Sequence, residues 1–206
     1  SMPTPSPPPT RRWQLASVTC SEGMSPMTRR FRPTDAFVDE SIRGRRYIMG
    51  CVLVEARHLS VLRPAMDELS VTTSRIHFNN ETDDQKRRVL DAIADMPIQA
   101  FATVCAKDHQ TDEFRARAEC VAEIVREVQS RGVVSLVLES RQDDRDDERV
   151  IMRTRTKETF MVFEHRPGKL ERMLWIADAV TWAVGSGHAW TNRLGGVLTD
   201  VIELQP

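Results

Sequence analysis

Apolar residues in this chain form two kinds of pattern, short unbroken runs and longer stretches at helical spacing, and both begin only after Pro33. Ala36-Phe37-Val38 runs into Asp39-Glu40-Ser41 as a short strand ending in acids. Tyr47 to Ala56 (YIMGCVLVEA) is a second apolar strand. With Ile42 to Arg46, including Gly44, as the turn, the two read as a hairpin. Gly50 inside the second strand marks a bulge or a close approach of another element. Leu59 to Leu69 has helical spacing, and Arg75 to Phe78 reads as a brief extended piece. A helix follows from the Asn79–Asp83 region through Met96, with Thr82 or Asp83 as its cap and Val89, Leu90 and Ile93 inward.

Pro97 ends that helix, and Ile98 to Ala106 (IQAFATVCA) is a strand with few polar side chains. Asp112 to Arg131 is the clearest amphipathic helix, with Phe114, Ala118, Val121, Ile124, Val125 and Val128 on one face and Gly132 as its stop. Val133 to Leu138 (VVSLVL) is continuously apolar, as a central strand covered on both faces would be. Phe160 to Phe163 reads as a further strand. Leu170 to Gly185 (LERMLWIADAVTWAVG) reads as a helix apolar almost all round, interrupted by Asp178. Val197 to Leu204 closes the domain as a strand or a short helix. A hairpin followed by strands alternating with helices predicts an α/β fold: a mixed sheet with helices on its faces.

Composition narrows the class. The chain has 206 residues, 40% hydrophobic and 29% charged, which suits one globular domain plus a tail. No apolar run reaches the roughly 18 residues that span a bilayer, so no membrane association is expected. The N-terminal stretch lacks the apolar core of a secretory signal. Cys20, Cys51, Cys105 and Cys120 are scattered without C-x-x-C spacing, which argues against a zinc site or a disulfide framework and for a reducing cytoplasm.

Charge is divided unevenly. Residues 1–33 carry Arg11, Arg12, Arg29, Arg30 and Arg32 against Glu22, a net +4, which leaves −5 on residues 34–206 out of the chain's −1. Pro3, Pro5, Pro7, Pro8, Pro9, Pro26 and Pro33 give the same stretch a disordered, linker-like composition. A basic tail can touch nucleic-acid phosphates, and it can equally be a solvated tail. Arg141 to Arg155 holds five acids and five arginines. As a helix it would align Arg141, Arg145, Arg149 and Arg153 in a basic stripe, or pair them with its own acids.

Candidate chemistry rests on three acids that each end or interrupt an apolar element: Asp39, Glu139 and Asp178. Leu174, Trp175, Thr181 and Trp182 share the face of Asp178, where an unpartnered carboxylate is costly. Ligand sites of open α/β sheets lie beyond the carboxyl ends of strands, where Asp39 and Glu139 fall. Converging carboxylates suit a hard divalent cation such as Mg²⁺ or Mn²⁺. The competing reading is solvated strand-end acids, with Asp178 capping a helix or pairing an arginine. Glu40 faces away from Asp39 if the strand continues, and becomes a second ligand if it has ended. His77, between Ile76 and Phe78, serves either proton transfer or metal binding, or a structural hydrogen bond. The other histidines show no metal spacing.

Phe37-Val38-Asp39-Glu40-Ser41 with the following strand, Ile76-His77, Leu138-Glu139-Ser140, and Trp175-Ile176-Ala177-Asp178-Ala179-Val180 together resemble one family, the prokaryotic domain of unknown function 3800. The resemblance covers roughly Thr34 to Leu204. It implies an RNase H-like fold and assigns to Asp39, Glu139 and Asp178 the role of binding two magnesium ions. It further implies a metal-dependent nuclease acting on RNA or DNA. The alternative it leaves open is a non-catalytic binding or scaffold protein of the same fold, as a homodimer or within a defence or toxin module. The sequence departs from the family at Ile42, where a glycine often follows Asp-Glu-Ser. The charged segment at about 141–158 would be an insertion.

Overall fold

The structure, a computed structural model, describes residues 30–70, 75–108, 112–141 and 144–204. The expected disordered tail lies outside the described residues as far as residue 29.

The predicted hairpin comprises β1 (Asp35–Arg43) and β2 (Arg46–Val54), antiparallel, with Asp39 opposite Gly50. Gly44, at φ 58°, makes the tight turn in a left-handed conformation that a side chain would resist. Helix α1 (Leu59–Leu69) follows, then α2 (Asp83–Ala94), whose N-cap Thr82 accepts a hydrogen bond from the Gln85 amide. Strand β3 (Ile98–Ala106) pairs antiparallel with β2. Helix α3 (Glu113–Ser130) is capped by the Asp112 carboxylate. Next come β4 (Ser135–Glu139), α4 (Asp144–Thr154), β5 (Val162–Arg166), α5 (Arg172–Ser186), the short α6 (His188–Thr191) and β6 (Leu198–Leu204).

The six strands form one mixed sheet in the order β5-β4-β1-β2-β3-β6. Strands β1, β4 and β5 run parallel, as do β3 and β6. Parallel neighbours need crossovers, and α4 within the charged segment supplies the one from β4 to β5. Helices α1, α2 and α5 cover one face, against Phe37, Val52, Val54 and Val137. Helices α3 and α4 cover the other, against Val38, Cys51, Leu53, Leu136 and Leu138. The predicted α/β architecture, a mixed sheet with helices on both faces, is the one observed. Among the described residues no helix is long and apolar enough to cross a membrane.

Local expectations fail in three places. Phe114 is 60% exposed, because it sits in the first turn of α3 and the buried face starts at Ala116. Strand β5 runs Val162–Arg166, two residues beyond the expected start, and leaves Phe160 exposed. Arg75 to Phe78 makes no strand. Phe78 begins a 3₁₀ turn, and its amide goes to Asp178 rather than to a neighbouring strand.

Helix α5 explains the all-round apolar pattern of its sequence, since every residue from Met173 to Val184 is buried. It lies against β1 and β2 because Gly50 lets it. A Cβ on Gly50 would fall 2.3 Å from the Thr181 hydroxyl and 3.2 Å from the Ala177 carbonyl. Gly50→Ala is therefore expected to push α5 off the sheet and cost about 1–3 kcal/mol or more, read as a lowered urea midpoint. Gly196→Ala, where a Cβ would meet nothing within 4 Å, is the control, with a change within about 0.5 kcal/mol.

Candidate active site

The register of β1 and β4 brings the first two acids together. Val38 pairs with Leu138 and Phe37 with Val137, so one residue further on Asp39 stands beside Glu139. Strand alternation puts both on the face of Phe37 and Val137, the face that α5 covers. The third acid arrives through the close approach at Gly50. The Thr181 hydroxyl shares its proton between the carbonyl oxygens of Ala177 (2.6 Å) and Asp39 (3.3 Å). That contact fixes α5 beside Asp39, and Asp178 follows Ala177 on the same helix.

The three carboxyls act on one another. Asp39 is pushed well above the usual carboxylate range, by burial first, then by a hydrogen bond with Glu139 and the negative charges of Asp178 and Glu139. Burial also raises Asp178, against the Phe78 amide and the positive potential of His77 and Arg75. Burial pushes Glu139 up as well, yet its hydrogen bonds with Asp39 and Arg75 hold it below its ordinary value. Within the pair, Asp39 is pushed toward its neutral form and Glu139 toward its charged form. A buried cluster of three acids calls for positive charge nearby.

Arg75 supplies part of that charge. Its guanidinium forks onto Glu139, pairing Nη1 with Oε1 and Nη2 with Oε2 at 3.1 Å, and Nη2 also reaches Asp39 Oδ2 at 3.4 Å. Nothing in the pattern of the chain marks this arginine as a site residue. It lies in an irregular stretch, and only the fold brings it to the acids. The signal that existed was the demand of the acids themselves for a cation.

Asp178 Oδ2 accepts the Phe78 amide proton at 3.0 Å, which orients the carboxylate. His77 Nδ1 lies 3.6 Å from the same oxygen, and the His77 side chain is 56% exposed at the rim. Trp175 donates from Nε1 to the Gly168 carbonyl (2.7 Å), while Trp182 packs on Phe78 and Trp190. The two tryptophans thus anchor α5 on either side of Asp178.

The Glu40 side chain takes no part in this cluster, although its backbone amide donates to Asp39 Oδ1 at 2.7 Å. Strand β1 continues to Arg43, so Glu40 points to the opposite face. There it accepts hydrogen bonds from Tyr47 (2.6 Å), pairs with Arg141 Nε (2.8 Å) and also contacts Arg117. Arg117 in turn pairs with Asp147 (Nε–Oδ1 2.7 Å), whose other oxygen lies 3.2 Å from His165 Nε2. This network ties α3 and α4 to the sheet. The four arginines do not act as one stripe: Arg141 precedes α4 and pairs with Glu40, and Arg149 pairs with the segment's own Asp146 at 2.6 Å.

The donor set fits a hard divalent cation in chemistry, since all three groups are carboxylates. As arranged, no group of three or more His, Cys, Asp and Glu side chains among the described residues is disposed to hold a metal ion. Arg75 lies on the oxygens that such an ion would use.

No family model matches the chain, and no curated protein matches its sequence. Solved structures do resemble it. Ribonuclease H2 from Pyrococcus horikoshii OT3 superposes with a TM-score of 0.54 at 13% identity, over 74% of this chain and 72% of that one. Bst-RNase HIII, in complex with Mn²⁺, gives a TM-score of 0.48 at 10% identity, over 75% of this chain and 52% of its own. The first likeness and the sheet order give this chain an RNase H-like α/β fold. At such identity the likeness concerns the fold alone.

The role of the Phe78 amide separates two substitutions at Asp178. Asp178→Asn keeps an oxygen acceptor and removes a repelled charge, so its stability should stay within about 1 kcal/mol of the parent. Asp178→Ala leaves a buried N–H unpartnered and should cost about 1–3 kcal/mol. Guanidinium denaturation compares them, and equal losses would contradict this account.

Proposed function

We propose that the chain is a metal-dependent nuclease that hydrolyses phosphodiester bonds of RNA or DNA through Asp39, Glu139 and Asp178. The convergence of these carboxyls carries the reading: Asp39 lies in the middle of β1 rather than at the strand end expected of it, Glu139 ends β4, and Asp178 lies on α5. The RNase H-like fold supports it, and so do the short motifs that resemble the domain family 3800. The three acids would hold Mg²⁺ or Mn²⁺ as hard oxygen ligands. Such an ion, when bound, would supply positive charge at the phosphoryl oxygens and lower the pKa of a water molecule.

The chain's own residues contribute orientation and proton handling. The Phe78 amide holds the Asp178 carboxylate in one direction. Burial of Asp39 and Asp178 disfavours their charged forms, a cost that a bound cation would relieve. His77, exposed beside Asp178, is placed to accept or return a proton at the rim. The body of the protein carries a net −5, so affinity for nucleic acid would come from local contacts rather than from the overall field.

One observation favours a second reading. Arg75 already pairs with Glu139 and Asp39, as it would in a binding or scaffold protein that kept the fold and neutralised the old site.

Cleavage assays with single-stranded RNA, single-stranded DNA and an RNA–DNA hybrid decide between the two. We expect Mg²⁺- or Mn²⁺-dependent cleavage of at least one substrate, reduced by about 100-fold or more in Asp39→Asn and in Asp178→Asn. Cleavage that survives in both folded variants sinks the assignment. No cleavage of any substrate by the parent protein leaves the scaffold reading in place.

A further inference from the structure

Among the described residues Arg75 is the one cation that touches two of the three acids, and the way it is held has a chemical consequence. Nη1 and Nη2 engage both Glu139 oxygens, and Nη2 reaches Asp39 Oδ2. These are the lone pairs that a divalent ion at the same place would need. A bidentate guanidinium and a metal ion cannot both use them, because the donors are shared and the two cations repel.

Two further observations describe the surroundings of this pair. A Cβ on Gly168 would fall 2.1 Å from Arg75 Nη1 and 2.3 Å from Glu139 Oε1. The chain therefore has its glycine where the arginine–glutamate pair passes. Gly168 is itself held there, since its carbonyl accepts the Trp175 indole N–H at 2.7 Å. The third guanidinium nitrogen, Nε, is buried and has no hydrogen-bond partner among the described residues. The head group is thus fastened through its two outer nitrogens to the acids, and loses that fastening if the acids are taken by another cation.

We propose that Arg75 is the competing cation of this site. Arg75 and a divalent metal ion occupy the oxygens of Glu139 and Asp39 in mutual exclusion, so this arginine sets the metal affinity of the protein. The inference rests on the metal-dependent reading above. It explains how the acids meet near one point while none of their groupings is disposed as a metal site. With Arg75 in place, Glu139 is directed at the guanidinium. With Arg75 displaced, the same oxygens turn to the metal.

Calorimetric titration of the full chain with Mn²⁺ tests this without any substrate. Arg75→Met keeps much of the side-chain stem and removes the charge, and we expect it to bind Mn²⁺ about tenfold tighter or more than the parent. Arg75→Lys, which keeps the charge and loses the fork, should fall between them. Equal or weaker Mn²⁺ affinity in folded Arg75→Met overturns the competition and leaves the metal reading standing. Mn²⁺ binding by neither protein overturns both. If Arg75→Met does not fold, Arg75→Lys decides: tighter binding than the parent supports the competition, and unchanged affinity overturns it.

Discussion

Everything at the site depends on how closely α5 lies on the sheet. A helix normally stands about 10 Å from a sheet, with side chains of both filling the gap. Here Gly50 removes one side chain on β2, and Thr181 fills the space so tightly that its hydroxyl meets the Asp39 carbonyl. The helix can afford no water on this side, and from Met173 to Val184 all of it is buried. Asp178 is carried into that environment, and its cost is met locally by the Phe78 amide.

The sheet then divides its acids between two faces. On the α5 face, Asp39 and Asp178 are both raised by burial first, Asp39 further by Glu139 and Asp178 and Asp178 further by Glu139, with Arg75 as the nearby compensation. On the α3 and α4 face, Glu40 and Asp147 are paired with Arg117 and Arg141, and Asp147 is held below its ordinary value although burial opposes this. Neighbouring residues of one strand thus live in opposite electrostatic conditions. Glu40 belongs to a satisfied network that fastens helices, whereas Asp39 belongs to one that lacks positive charge. Unmet charge of that kind is where chemistry is to be sought, and satisfied charge is where stability is.

Much of this was legible from residue patterns. The hairpin, the helices expected from Leu59, the Asn79–Asp83 region, Asp112 and Leu170, and the strands expected from Ile98 and Val133 follow, to within a few residues at their ends, from apolar spacing and from Thr82, Gly44 and Pro97 as cap, turn and stop. Asp39 was preferred to Glu40 by strand alternation, a local property that the long β1 preserves. The exposed Phe114 and Phe160 were misjudged because periodicity tells which face a residue shares and not whether the neighbouring element extends far enough to cover it. The piece from Arg75 to Phe78 was misjudged for a related reason. Its backbone is satisfied by a side chain 100 residues away, and no local rule carries that information.

The chain by itself determined the element order, the apolar character of α5 and the positions of three acids at the ends or in the middle of apolar elements. These are consequences of short-range periodicity, which survives whatever the fold does. Only the tertiary structure decided that Val38 aligns with Leu138, that Gly50 admits Thr181, and that Arg75 lies between Glu139 and Asp39. Each of these is a contact between segments far apart in sequence. Register, helix height and ion-pair partners are set by the packing of the whole core, and no stretch of the chain contains them alone.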